Sequence, residues 1–323
     1  MFLLKSVSIK IKLIGLLFLS SFFFIALNSA KAYTIENYQD KVEDRFVISP
    51  VNLELNLMPD ESTTQNITII NRLGRTAEFT LNREDFIGSE DPEKSTVFLG
   101  EDSSAVTSAR NWISTEIEKI TLNHGDRLTL PVSIKVPKGV NTGSHYTAVF
   151  VSVASPESSE KDKVKLVSRV GTLILINVPG NNQESGEISD FNADRKFYRN
   201  GPVEFNTVFK NTGNVYQKVR GEITITNILG AQVAQIPIKD WVVLSNASRR
   251  QTVEWDKKWL VGRYKAHLTA FYGLGGNLTD KSEVIFYAFP WHIALLLMVI
   301  LVMFYFALKY LFSKFEIRRK EKV

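Results

Sequence analysis

The stretch Leu128-Thr129-Leu130-Pro131-Val132-Ser133-Ile134-Lys135-Val136 decides the fold. Its apolar residues fall at every second position, with Thr129, Ser133 and Lys135 between them, and a period of two belongs to a strand with one face in a core and one in water. Upstream the same alternation runs through Leu53, Leu55 and Leu57 around Glu54 and Asn56, through Ile67 and Ile69 around Thr68, and through Phe79 and Leu81 around Thr80. Downstream it returns in Val203, Phe205, Thr207 and Phe209, in Ile223 and Ile225, and in Tyr264, Ala266, Leu268 and Ala270. A helix needs apolar residues at three- and four-residue steps, and the β-branched runs Ile67 to Ile70 and Thr172 to Val178 oppose one. Short strands at this spacing predict an all-β chain built from sandwiches.

Between the strand-rich blocks lies Val178-Pro179-Gly180-Asn181-Asn182-Gln183-Glu184-Ser185-Gly186, a concentration of turn formers that marks a boundary. About 250 residues of strand-patterned chain exceed one Ig-like unit of roughly 100 residues, so two tandem Ig-like β-sandwiches are expected, over 33–180 and 187–287. Local features recur in both blocks and suggest one architecture used twice. An early strand closes on Asn71-Arg72-Leu73-Gly74 and then on Asn211-Thr212-Gly213. A late strand opens on Gly143-Ser144-His145-Tyr146 and then on Gly262-Arg263-Tyr264. Tyr146 and Tyr264 suit either the corner tyrosine of Ig-like sandwiches, whose hydroxyl bonds back to the chain, or plain core packing.

The ends are apolar. Leu13 to Leu27 follows Lys5, Lys10 and Lys12 and precedes Ala30-Lys31-Ala32, the pattern of a signal peptide over 1–32. Trp291 to Leu308 carries no charged side chain and is long enough to cross a bilayer, which predicts a transmembrane helix over 289–310. Phe289, Trp291, Tyr310 and Lys309 are placed at the membrane interface, ahead of a basic tail over 311–323. That tail belongs on the cytoplasmic side, so the expectation is a single-pass cell-membrane protein with an extracellular N-terminal ectodomain. The leader holds four basic residues and the segment from Lys309 holds six with two acids; setting them aside from the 39 basic and 34 acidic residues leaves the middle slightly acidic. The basic pI of about 9.1 therefore reflects the ends, and no nucleic-acid partner is expected. The absence of cysteine in a protein exported past the membrane suits a bacterial surface protein.

Signs of catalysis are thin, and the chain reads as a non-enzyme with no cofactor. There is no Cys nucleophile, and His124, His145, His267 and His292 lie far apart without metal-type spacing. No serine sits in a Gly-x-Ser-x-Gly frame, and Gly273-Leu274-Gly275-Gly276 reads as a hairpin turn. Glu184, Glu187, Asp190 and Asp194 match no defined calcium loop and read as a solvated linker, with calcium as the alternative. The segment Glu84 to Asn111 breaks the strand rhythm; within it, Ser103 to Arg110 is expected as a short helix capped by Ser103 or Ser104. Phe86, Phe98 and Leu99 in that segment either cover one end of the sandwich or form a contact patch. Trp241, Trp255 and Trp259 suit core packing or a sugar-stacking platform, with Trp255 pointing inward and Trp259 partly exposed.

The run Ile48-Ser49-Pro50-Val51, then Asn71, Trp112-Ile113, Ile134-Lys135-Val136-Pro137 and Gly143-Ser144-His145-Tyr146, resembles the PapD-like first domain of bacterial cell-surface proteins. Phe209-Lys210-Asn211-Thr212-Gly213-Asn214 is similar to bacterial adhesion-type sandwiches. The chain thereby resembles the WxL-interacting protein family and its uncharacterised relatives. That resemblance implies tandem Ig-like domains on a membrane anchor, with a surface protein or cell-wall polymer as partner. Family members usually carry a Gly-Gly pair where this chain has Ser144-His145-Tyr146 after Gly143. The expected function is a non-enzymatic surface protein that binds through Phe86, Phe98, Leu99 and Trp259. The alternative is a membrane-tethered accessory or sensor subunit that acts through its transmembrane helix and basic tail.

Overall fold

The computed structural model describes residues 33–38, 41–100, 103–154, 167–273 and 275–314. The signal-peptide expectation over 1–32 and the tail beyond Lys314 lie outside the described residues. The first block contains β1 (Thr34–Asn37), β2 (Arg45–Ser49), β3 (Asn52–Asn56), β4 (Ser62–Arg72), β5 (Ala77–Gly88), β6 (Thr96–Phe98), β7 (Ile113–Thr115), β8 (Lys119–Leu122), β9 (Asp126–Lys135), β10 (Gly143–Ala154) and β11 (Val167–Val178). They form two sheets, ordered β1-β9-β4-β2 with β7 also on β9, and β3-β11-β10-β5-β6 with β8 also on β5.

The decisive stretch is β9, and its alternation is met in full: Leu128, Leu130, Val132 and Ile134 are all buried. They face Phe79, Leu81, Val149, Val151 and Ile174 of the other sheet across one apolar core. Each such side chain withdrawn from water stabilises the fold by about 1.5–3 kcal/mol. Pro131 has no N–H to give, and it falls where the outer partner of β9 changes from β1, ending at Thr129, to β7, beginning at Val132.

The second block contains β12 (Gly186–Ala193), β13 (Phe197–Tyr198), β14 (Val203–Asn211), β15 (Gln217–Asn227), β16 (Gln232–Val243), β17 (Ala247–Trp255), β18 (Gly262–Tyr272) and β19 (Leu278–Ala288). Its sheets are β12-β14-β17 and β13-β19-β18-β15-β16. Strand for strand this repeats the order β2-β4-β9 and β3-β11-β10-β5-β8 of the first block. The repeat extends to strand sense, since β3 runs parallel to β11 and β13 parallel to β19. The turn between β18 and β19 closes a hairpin, with the Gly276 N–H donating to the Gly273 carbonyl at 3.1 Å.

Two expectations need correction. The strand rhythm does not stop at Glu84, because β5 continues to Gly88 and pairs with β6. Ser103 to Arg110 forms no α-helix; a single 3-10 turn spans Arg110–Trp112. The Ala105 N–H, which a Ser103 cap would need, donates instead to the Ser108 Oγ at 2.7 Å, and the buried Asp85 carboxylate accepts from the Ala109 and Arg110 N–H groups at 3.1 and 2.8 Å. The Thr107 carbonyl meanwhile accepts from the Tyr146 N–H at 2.7 Å and holds the segment against β10.

After β19 only Phe289 and Pro290 precede α1 (Trp291–Lys314). The Trp291 N–H donates to the Phe289 carbonyl at 2.8 Å, an inverse γ-turn that suits the fixed φ of Pro290. Relative to the expected 289–310, the helix begins two residues later and ends four later. Leu295–Ser313 is apolar and long enough to cross a membrane, with mean hydropathy 2.4.

Candidate functional surfaces

Loops alternate between the two ends of an antiparallel sandwich, so in the second block β14 and β16 finish, and β15 and β17 begin, at the end facing the first block. Here the blocks share one apolar cluster: Phe86, Tyr146, Ala148 and Leu175 pack with Tyr216, Leu244 and Ala247. The Tyr146 hydroxyl donates to the Ser245 Oγ and accepts the Ser245 N–H, both at 3.0 Å. The Tyr216 N–H donates to the Ser144 Oγ at 2.8 Å, and Lys218 meets Glu54 at 2.6 Å. Burial, then the nearby Glu54 carboxylate, pushes the Tyr216 phenol up; burial alone leads for Tyr146. The turn after β5 reaches over the outer edge of β17, where the Ser248 and Arg250 N–H groups donate to Ser89 and Pro92 carbonyls at 2.8 and 3.0 Å. An exposed strand edge is thereby covered. Gly88 permits the approach, since a Cβ there would stand 2.4 Å from that of Ala247.

The structure divides the four residues expected at a binding surface. Phe86 is 1% exposed and stacks on Tyr146 at 5.5 Å, so it belongs to the joint's core and offers no contact to a partner. It shares a face with its cross-strand partner Phe98, and the second block covers it there. Phe98 is 42% exposed and sits edge-on to Phe150 at 5.1 Å; Leu99 is half-buried. The Arg169 guanidinium lies over the Phe150 ring at 3.4 Å and is paired with Glu84. Phe98, Phe150, Arg169 and Glu84 make an aromatic and charged strip on the outer face of the β10 sheet. Arg169 and Phe150 carry no sequence signal that sets them apart from ordinary strand residues, and only the cross-strand register joins them.

Trp259, the fourth residue, stands at the other end of the second block, 67% exposed and beside α1. Trp241 and Trp255 are buried. A cavity of 520 Å³ there is lined by Arg199, Gly201, Asp256, Lys258, Trp259 and His292. The Arg199 Nε donates to the His292 Nδ1 at 2.9 Å, and its guanidinium lies 5.2 Å from the Trp291 ring. Phe289 and Trp291 are exposed at the start of α1, and Lys309 and Tyr310 are exposed near its end.

No three His, Asp or Glu side chains converge on a possible metal position among the described residues. The histidines lie apart: His124 accepts the Gly74 N–H at 3.3 Å, His267 approaches Glu283 at 3.5 Å, and His145 packs on Trp112 at 4.5 Å between ring centres. In the acidic cluster after the boundary, Asp194 accepts the Tyr198 hydroxyl at 2.5 Å and pairs with Arg195, while Asp190 accepts from Asn192.

No protein-family model matches the sequence, and no curated protein matches it. Kinship with the WxL-interacting proteins thus draws nothing from that side. Solved structures do match. A class 5 fimbrial chaperone, CfaA, is 13% identical, with 75% of this chain and 99% of that one covered at a TM-score of 0.37. A chain from a chaperone and tip-adhesin complex of CFA/I fimbriae is 11% identical, with 75% and 98% covered at 0.37. PapD-like domain 7 of human CEP192 is 10% identical, with 47% and 96% covered at 0.28. Overlap of this extent says nothing of what this chain binds; its sandwich character rests on the pairings and cores above.

Proposed function

We propose that this chain is a membrane-anchored, non-enzymatic binding protein, with sandwich domains over 33–180 and 187–287 held as one stiff ectodomain on the outer side of a cell membrane. The observation that carries the reading is mechanical continuity. The two blocks share an apolar cluster and a covered strand edge, and β19 runs within two residues into the apolar helix. Such a chain transmits the orientation of its base to its tip. The partner is a surface protein or cell-wall polymer, as the family resemblance implies, and it engages the strip of Phe98, Leu99, Phe150 and Arg169, where half-exposed rings and a guanidinium offer stacking and hydrogen bonding together.

Full-length protein in mild detergent, incubated with cell-wall material and with surface-protein extract, tests this. Capture should persist when α1 is replaced by an unrelated membrane-spanning helix and should fall in Phe98→Asp and Arg169→Glu. The opposite pattern, loss on helix exchange and indifference to Phe98→Asp, would overturn it in favour of an accessory subunit acting through the helix and tail. Protease added to wall-stripped cells should remove the ectodomain and spare a tag after Val323; loss of the tag would reverse the orientation.

A further inference from the structure

The exposed large apolar side chains of the second block are not scattered. Phe197, Ile228, Leu229, Trp259 and Val261 are all exposed, Leu229 to 87% and Phe197 to 70%. They come from separate places in the chain: strand β13, the turn between β15 and β16, and the connection between β17 and β18. The strand register brings all of these to one level. Asn227 pairs with Tyr264, Gly262 pairs with Ala288, and Phe197 pairs with Tyr287, so each tip projects at the end where β19 gives way to α1. Phe289 and Trp291 continue the same zone. Away from this end of the block, Leu278 is the remaining exposed large apolar residue among the described residues, at 37%. A soluble surface does not gather its apolar residues at one end without something to cover them.

Basic groups are interleaved with them. Lys196, Lys258 and Arg263 form no ion pair among the described residues, and the Lys257 ammonium lies 5.4 Å from the Trp255 ring. Arg199 and Lys258 line the 520 Å³ cavity. His292 accepts the Arg199 hydrogen bond on Nδ1, and Asp256 is the one carboxylate in the lining. Two cations and one anion around a space walled by the Trp259 ring suit a group that is anionic at its phosphate and carries hydroxyls for Asp256 to accept from.

We infer that this end of the sandwich is a lipid-binding surface: its loop tips enter the outer leaflet at the headgroup level, and the Arg199-Lys258 cavity holds the phosphodiester headgroup of an anionic phospholipid such as phosphatidylglycerol. The inference rests on the reading of α1 as membrane-spanning. That reading supplies the occupant, because two residues of about 3.5 Å each cannot lift the sandwich clear of the bilayer that the helix enters. Apolar tips beneath a basic rim are the arrangement expected of an interfacial surface. The anchor alone accounts for none of Ile228, Leu229, Val261 or Lys258.

Full-length protein in nanodiscs of phosphatidylcholine, with and without phosphatidylglycerol, provides the test. Lipids brominated near the headgroup end of their chains should quench tryptophan fluorescence, and the quenched fraction should shrink in Trp259→Phe. Native mass spectrometry of protein extracted in mild detergent should show retained phosphatidylglycerol. Its retention should fall about 30-fold in Arg199→Gln/Lys258→Gln, from two cationic contacts removed, and should be unchanged in Lys135→Gln in the first block. Protein that enters the nanodisc with Trp259 unquenched and no lipid preference would overturn the lipid site and leave the anchor standing. Protein that stays soluble without detergent would overturn both.

Discussion

The two strand blocks repeat one order, and each seals the same turn with an asparagine that is fully buried. Asn71 donates through Nδ2 to the Arg75 and Leu122 carbonyls, both at 2.9 Å, and its Oδ1 accepts the Leu73 N–H. Asn211 donates to the Val215, Val243 and Leu244 carbonyls at 2.8–3.1 Å, and its Oδ1 accepts from the Gly213 N–H and the Gln217 Nε2. The offsets of four residues on the donor side and two on the acceptor side are identical. The second plug is more heavily bonded, and it sits under the loop of Leu244 and Ser245 that the first sandwich grips. What separates the repeats is therefore location: the same device closes a free end in one and supports the joint in the other.

The largest effects should come from these plugs. Replacing either asparagine with alanine strands buried carbonyl groups, each costing about 1–3 kcal/mol when left unmet. Asn211→Ala should cost about 3–5 kcal/mol and Asn71→Ala about 2–3 kcal/mol, read from urea unfolding of the full chain. Equal losses would mean that the extra bonds of Asn211 contribute nothing and that the joint does not lean on its plug.

Next in size is the joint itself. Gly88→Ala puts a methyl group against the Ala247 and Leu244 Cβ atoms, 2.4 and 2.9 Å away, and the loop must retreat. Overpacking of this kind costs about 1–3 kcal/mol. Hydrogen exchange should accelerate at the Ser248 and Arg250 amides, whose acceptors Ser89 and Pro92 move with that loop. Unchanged protection at both would show that the blocks touch without bracing one another.

The strand pattern made the β character, the repeated strand order and the β18-β19 hairpin legible, because alternation and turn residues are local. The joint was not legible, because it depends on which face of a strand a residue occupies relative to a distant block. Tyr146 and Tyr264 show how this works. Matched by residue type they look equivalent, but counted from Gly143 and Gly262 the residue in register with Tyr264 is His145, and one step along a strand reverses the face. Tyr264 faces its own core and accepts the Val261 N–H at 3.2 Å, as a corner residue does. His145 meets the Asn141 carbonyl at 2.9 Å from the matching place, while Tyr146 points out across the joint. Tyr146→Phe loses two bonds to Ser245 and should cost about 1–2 kcal/mol, whereas Tyr264→Phe loses one long bond and should cost about 0.5–1 kcal/mol. Reversal of that order in unfolding midpoints would contradict the assignment of Tyr146 to the joint.

The smallest expected effect separates the repeats by pH. His145 is buried against Trp112, and burial holds its imidazole below the ordinary histidine value of about 6.5, ahead of the opposing hydrogen bond to Asn141. Above pH 6.5 His145 is neutral in both folded and unfolded chains and exerts no pH dependence. As the pH falls through that value the unfolded chain takes up a proton that the folded chain resists. Stability is therefore lost toward acid, beginning near 6.5, with a slope no steeper than about 1.4 kcal/mol per pH unit, the limit for one proton. His145→Gln keeps a polar group within reach of Asn141 and removes the titration. Urea midpoints of the two proteins between neutral pH and pH 5 should diverge, with the slope shallower in the variant. Parallel curves would mean that the imidazole is protonated as readily in the folded chain as in the open chain.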